Sequence, residues 1–151
     1  MEESIKNSGA GMLASIEETF ACERADIKTF SPLTLAYIGD AVYDLVIRSV
    51  IVERANRPAH QLHKSAVKYV NAGAQSAMIQ ALLGELNEEE EGFYRRGKNA
   101  KPATTAKNAS LADYHRATGF EALMGYLYLT GQTDRMMYLV QKGIELIDME
   151  I

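Results

Sequence analysis

Asp40 and Glu121 are the residues of this chain whose setting most invites chemistry. Asp40, with Asp44 one helical turn on, interrupts an apolar run from position 33 to 52. Glu121 is the only acid between Asp113 and Asp134 and sits in the most apolar stretch of its own segment, Gly119-Phe120-Glu121-Ala122-Leu123-Met124-Gly125. A carboxylate taken out of water needs a cation, a hydrogen-bond network or a metal to offset its lost hydration. For Asp44 the partner is at hand, because Arg48 follows it at i+4. Asp40 has only Ala36 and Asp44 one turn away, and Glu121 has Ala117, Thr118, Met124 and Gly125. Two readings stay open for the pair. They are either a polar stripe and a core glutamate satisfied by some basic group, or two lone carboxylates converging on one hard divalent cation. Mg²⁺ suits the second reading, since one or two carboxylates commonly hold it while water and substrate phosphates complete its shell.

A third feature is basic. Residues 92–112 carry Arg95, Arg96, Lys98, Lys101 and Lys107 and no acid, a local charge of +5 in a chain whose net charge is −4, which leaves −9 for the rest. An acidic body with one concentrated basic segment fits phosphate binding at one place and argues against nonspecific binding over the whole surface. His60 and His63 are spaced i, i+3, but no third ligand lies nearby in sequence, so a zinc site is not expected. There is no glycine-rich phosphate loop, no C-x-x-C pair and no G-x-S-x-G.

These residues need helices to hold them. The chain is 151 residues long, 47% hydrophobic, with three prolines and no tryptophan, which bounds it to a compact helix-rich domain with a sizeable core. Residues 1–12 read as a loose lead-in, and 12–25 as a short amphipathic helix. Ser31-Pro32 supplies an N-cap and a first-turn proline for a helix that carries Asp40 and ends near 55–56. The run 33–52 has the length of a membrane span, but Asp40, Asp44 and Arg48 make it a core helix of a soluble protein. Pro58 opens the next helix, a break at 71–73 leads to another ending near 83–84, and Asn87 followed by four glutamates reads as a capped, solvated helix start. That helix is predicted to end at Gly97, followed by a basic loop over 97–108. Ser110 and Asp113 form a capping-box variant for a helix to Leu129; Thr130-Gly131-Gln132 turns, and Thr133 caps a last helix. No strand is convincing, so the expected class is all-α. The single Cys22 suits a reducing cytoplasm, and no export leader is read at the start.

Tyr37-Ile38-Gly39-Asp40-Ala41-Val42-Tyr43 resembles the Gly-Asp-Ala signature helix of the ribonuclease III catalytic domain. Phe120-Glu121-Ala122-Leu123-Met124-Gly125 resembles its second acidic motif, Phe-Glu-Ala-Leu-x-Gly, and Arg95-Arg96-Gly97-Lys98-Asn99-Ala100-Lys101 resembles the basic linker of the Mini-ribonuclease III branch. The resemblance runs from about Leu33 to Leu139 and, with the chain ending soon afterwards, leaves no room for a double-stranded-RNA-binding domain, as in that branch. It implies a lead-in over residues 1–30, and over 31–151 an all-helical, homodimeric endoribonuclease that cleaves double-stranded RNA with Mg²⁺, leaving 5′-phosphate and 3′-hydroxyl ends. In the Mini branch the implied task is trimming the 23S ribosomal RNA precursor in the cytoplasm. By this resemblance Asp40 and Glu121 are the catalytic, metal-holding acids, and Arg95, Arg96, Lys98, Lys101 and Lys107 grip the RNA. Acids of full-length ribonuclease III are replaced here by Leu33, Ala36 and Thr118, which implies more water around the metal. The alternative is a catalytically silent helical module that binds structured RNA or ribosomal particles.

Overall fold

A computed structural model describes residues 11–101 and 110–151, and every described element is helical. The α-helices are α1 (Gly11–Thr19), α2 (Pro32–Arg54), α3 (Ala59–Val70), α4 (Ala72–Leu82), α5 (Glu88–Asn99), α6 (Leu111–Leu129) and α7 (Thr133–Leu146), with single 3₁₀ turns at Ile27–Thr29 and Leu83–Glu85. The all-α expectation holds. Among the described residues no helix is long and apolar enough to cross a membrane.

The architecture is one central helix wrapped by the others. Between positions 117 and 127 every residue of α6 except Glu121 is buried, so this helix has no solvent face in its middle. It packs chiefly on α2, α5 and α4. Phe120 meets Tyr43 of α2 edge to face at 5.0 Å, and Tyr126 stacks on Phe93 of α5 at 4.1 Å. Both are arrangements that aromatic quadrupoles favour. The Tyr43 hydroxyl donates to the Tyr69 carbonyl at 2.8 Å, tying the end of α3 to α2.

Glycines let backbones touch at two crossings. A Cβ on Gly39 would fall 1.7 Å from the Glu121 carbonyl oxygen, and one on Gly125 would fall 2.1 Å from that of Leu35. These two positions are where α2 and α6 cross. On the other side of α6, a Cβ on Gly97 would lie 2.6 Å from Ala122 Cβ, and one on Gly119 would lie 2.7 Å from the Tyr94 carbonyl.

That second crossing corrects the predicted end of α5. Gly97 does not terminate the helix, which continues to Asn99, because this glycine is spent on close approach to α6. Arg95 and Arg96 stand on this helix as expected, and Lys98, expected in the loop, stands on it too. Two other helix ends differ from expectation. α1 stops at Thr19, where Ala21 adopts a left-handed φ of 52°, and the cap of α7 is Gln132, with Thr133 already helical. The break expected over 71–73 narrows to Asn71 alone. Its Oδ1 accepts from Ala74 N at 2.8 Å to start α4, while its Nδ2 donates to Val67 O at 2.8 Å to close α3.

Only part of the glutamate run behaves as a solvated helix start. Asn87 and Glu90 form a reciprocal capping box, and Glu90 is fully buried, gripped by Arg135 of α7 at 2.8 and 2.9 Å. Burial alone would raise its carboxyl, but Arg135 and the Asn87 N–H outweigh it and hold the group below its ordinary value.

Gly39→Ala and Gly125→Ala each force the α2–α6 crossing apart, and we expect either to cost more than about 3 kcal/mol in urea unfolding or to prevent folding. Gly84→Ala, with nothing within 4 Å of its added Cβ, is the control and should stay within about 1 kcal/mol of the parent.

Candidate active site

The α2–α6 crossing determines which side chains meet. Asp40 follows Gly39 on α2, and Glu121 is the residue whose carbonyl Gly39 touches, so the two carboxyl groups emerge beside the same backbone contact. They lie close enough for Asp40 to act on the Glu121 carboxyl. Asp40 is exposed, whereas Glu121 lies deeper. Burial pushes the Glu121 carboxyl up to about 8, the adjacent Asp40 adds to the rise, and the Gln75 amide opposes it. Among the described residues no basic side chain contributes to that shift. Asp44 is occupied as expected, with Arg48 at 2.9 Å.

Gln75 is a site residue that sequence reading missed. It lies in the first turn of α4, is 2% exposed, and donates from Nε2 to the Val70 carbonyl at 2.9 Å. Its Oε1 is buried with no hydrogen-bond partner, a state that costs about 1–3 kcal/mol. A glutamine in Asn71-Ala72-Gly73-Ala74-Gln75 carries no local signal, because only the tertiary fold brings it to Glu121.

The donor set is thus two carboxylates and a carboxamide. Among the described residues no cluster of three or more His, Cys, Asp or Glu is present. Two hard oxygen anions open to solvent on the Asp40 side fit a hydrated, oxygen-preferring cation of the Mg²⁺ kind. The positions where further acids were considered add nothing to the charge. Leu33 is exposed, Ala36 is buried, and the Thr118 hydroxyl donates to the Tyr114 carbonyl at 3.0 Å. His60 and His63 are both exposed on α3.

The predicted basic residues divide. Arg95 pairs with Glu91 at 3.3 Å, and the Arg96 guanidinium lies 4.5 Å over the Phe93 ring. Lys98 and Lys101 line an open cavity of about 420 Å³ with His115 and Arg116 at the start of α6. Lys107 lies outside the described residues. A second basic tract escaped the sequence analysis although it was equally legible: residues 54–84 hold Arg54, Arg57, Lys64 and Lys68 and no acid. His60, Lys64 and Lys68 follow at i, i+4 and i+8, all exposed, along one stripe of α3.

The chain is similar to known proteins over most of its length. The ribonuclease III domain model matches residues 33–132. The Mini-ribonuclease 3 of Thermoanaerobacter sp. (strain X514) is 43% identical over 137 residues, covering 91% of this chain and 96% of that protein. The Mini-ribonuclease 3 of Enterococcus faecalis (strain ATCC 700802 / V583) is 50% identical over 117 residues, covering 76% and 89%. A crystal structure of a Fusobacterium nucleatum protein superposes with a TM-score of 0.72 at 30% identity, covering 80% of this chain and 96% of that one.

The raised Glu121 carboxyl makes stability pH-dependent. Without divalent cations, the folded chain keeps a proton at this site that the unfolded chain releases near pH 4.5. The stability linked to it is therefore full below about pH 4.5 and is lost as pH rises toward about 8. With chelator present, urea unfolding between pH 5 and 9 should show the parent losing on the order of 2–4 kcal/mol relative to Glu121→Gln, which cannot titrate there. Parallel pH curves for the two proteins would contradict the raised carboxyl.

Proposed function

We propose, on the premise that the chain belongs to the ribonuclease III family and to its Mini-ribonuclease 3 branch, that this endoribonuclease cleaves double-stranded RNA at the Asp40–Glu121 pair with Mg²⁺. The observation that carries the reading is the meeting of these two carboxyl groups, from helices otherwise buried against each other, with no basic side chain among the described residues acting on Glu121. When bound, Mg²⁺ supplies Lewis-acid stabilisation of phosphoryl charge and lowers the pKa of water. The chain's own part is placement. Asp40 meets solvent and substrate, and Glu121 holds the inner side of the site. The bond formed is from water oxygen to phosphorus, and the bond broken is phosphorus to the 3′ oxygen, which leaves as a hydroxyl after taking up a proton. One fragment then carries a 5′-phosphate.

Recognition falls to charge and shape, because A-form grooves hide base identity from side chains. Arg95, Arg96, Lys98, Lys101 and Lys107 form one tract for phosphates, and the α3 stripe His60, Lys64 and Lys68 forms a second on another helix. We assign the physiological substrate to the 23S ribosomal RNA precursor in the cytoplasm, by the branch the chain belongs to. The active form is a homodimer. Leu33, Tyr37, Leu45 and Val52 lie along one side of α2, 37–81% exposed, with Tyr37 the most exposed of them. An apolar stripe of that kind on a helix reads as an interface. Two copies would then present two sites to the two strands of one duplex.

A long RNA duplex with Mg²⁺ should give discrete products with the parent, while Asp40→Asn and Glu121→Gln reduce cleavage to background and keep RNA affinity within about threefold, because phosphate contacts supply most of the affinity. Intact RNA with the folded parent would favour the silent binding module instead. Neutralising Arg95 with Arg96, or Lys64 with Lys68, should weaken binding and flatten its dependence on salt, the log–log slope falling by about one for each phosphate no longer neutralised. Tyr37→Asp should shift the parent's sedimentation from dimer to monomer; a parent that sediments as a monomer would refute the homodimer.

A further inference from the structure

We propose that Gln75 is a positioning residue of the carboxylate pair, its Nε2–H₂ group holding Glu121 and its Oε1 accepting a hydrogen bond from water carried by the divalent cation. The inference rests on the Asp40–Glu121 reading above and extends it to a third, uncharged member.

Placement comes first. Asn71 ends α3 and begins α4 with no intervening residue, so the first turn of α4 is locked to the last turn of α3. Gln75 is in that turn, four residues after Asn71, with its own N–H donating to the Asn71 carbonyl at 3.1 Å. One Nε2 hydrogen is fixed on the Val70 carbonyl, and the same amide reaches the Glu121 carboxyl. A primary amide has two N–H donors and one carbonyl oxygen. One donor is therefore committed to α3, the amide stands close enough to Glu121 to lower its carboxyl, and Oε1 is left over, buried with no hydrogen-bond partner.

A purely structural glutamine would not be built this way. Tying α4 to the Val70 carbonyl needs one donor, and the Asn71 cap already fixes the same junction. An apolar side chain of equal length would fill the space without leaving a dry carbonyl oxygen. What an amide adds is a donor facing a carboxylate and an acceptor facing whatever the carboxylates hold. Buried polar groups lacking a partner are uncommon and mark places where water or an ion belongs. Charge supports the same role. The positions that could have supplied more acid, Leu33, Ala36 and Thr118, supply none, and a neutral oxygen donor assists a hydrated cation without adding a third repelling charge.

The test uses the full chain and Mn²⁺ alone as the probe, titrated calorimetrically without RNA. The parent should bind, and Asp40→Asn should abolish binding. Gln75→Met, close in length and unable to hydrogen-bond through its end, should keep the parent's helicity and weaken Mn²⁺ binding about 10-fold or more, the usual range for outer-shell partners of metal ligands. Its kcat should fall while KM for duplex RNA stays within about twofold, because Gln75 touches no RNA. Gln75→Glu, which keeps an oxygen in place of Oε1, should bind Mn²⁺ more tightly than Gln75→Met. Mn²⁺ affinity of a folded Gln75→Met equal to the parent's would overturn the proposal while leaving the carboxylate pair standing. A parent that binds no Mn²⁺ would overturn both. If the methionine variant does not fold, the parent decides by itself: its Gln75 side-chain amide resonances should move with Mg²⁺ at the same half-saturation as the signals of Asp40 and Glu121. Resonances that stay still would refute the role.

Discussion

The structure depends on two helix backbones being allowed to touch. Helices with ordinary side chains between them keep their axes about 8–10 Å apart, and at that separation carboxylates on neighbouring helices need not meet. Gly39 and Gly125 remove the spacers where α2 crosses α6, so the carbonyls of Glu121 and Leu35 lie against glycine backbone. The acids beside that contact inherit its rigidity. A second crossing at Gly97 and Gly119 presses α6 from the other side, and between the two contacts the helix has no room to slide. A site built on packed helices keeps its geometry better than one built on loops, which matters when the proposed working groups are only two carboxylates and an amide.

Electrostatics divides the surface in a way that serves such a site. The chain is acidic overall, yet nine of its 16 Lys and Arg residues fall in two acid-free tracts of the sequence. One of them begins on α5, whose opposite end is anchored by buried Glu90 paired with the partly exposed Arg135. The anchor is remote from the carboxylates, but it fixes the direction in which α5 carries Arg95, Arg96 and Lys98. Removing one partner of such a pair leaves a buried charge uncompensated, so the pair acts on function through the orientation of a helix.

Much of this was legible in the sequence where the signal is local. Ser31-Pro32, Asn87 ahead of the glutamate run, and Gly131 at φ +71° announced their helix ends through capping and turn chemistry. Asp40 and Glu121 stood out as charges in apolar runs, and the motif resemblance paired them. What failed did so because one residue type serves two purposes. Gly97 looked like a helix stop and is a packing glycine, since sequence cannot say whether a missing side chain provides a left-handed turn or room for a neighbour. Glu90 looked like one of four solvated acids, and only the approach of Arg135 from α7 separates it from Glu89 and Glu91. Gln75 was invisible for the opposite reason: it breaks no local pattern, and its role is created wholly by contact across the fold. The α3 basic stripe could have been read, by the same acid-free criterion that found the segment beginning on α5.

The single-residue junction between α3 and α4 has a further meaning for how such a chain can vary. Elsewhere a connection can lengthen and the helices it joins stay where they are. At Asn71 there is no slack, because one side chain closes one helix and opens the next. Each residue added inside an α-helix turns the downstream residues by about 100° and advances them by about 1.5 Å. An insertion within the first turn of α4 would thus carry Gln75 off the face that meets Glu121, even though nothing near Asp40 had changed. Tolerance to length change must then be very uneven along this chain, and the junction at Asn71 is a point where its register is fixed.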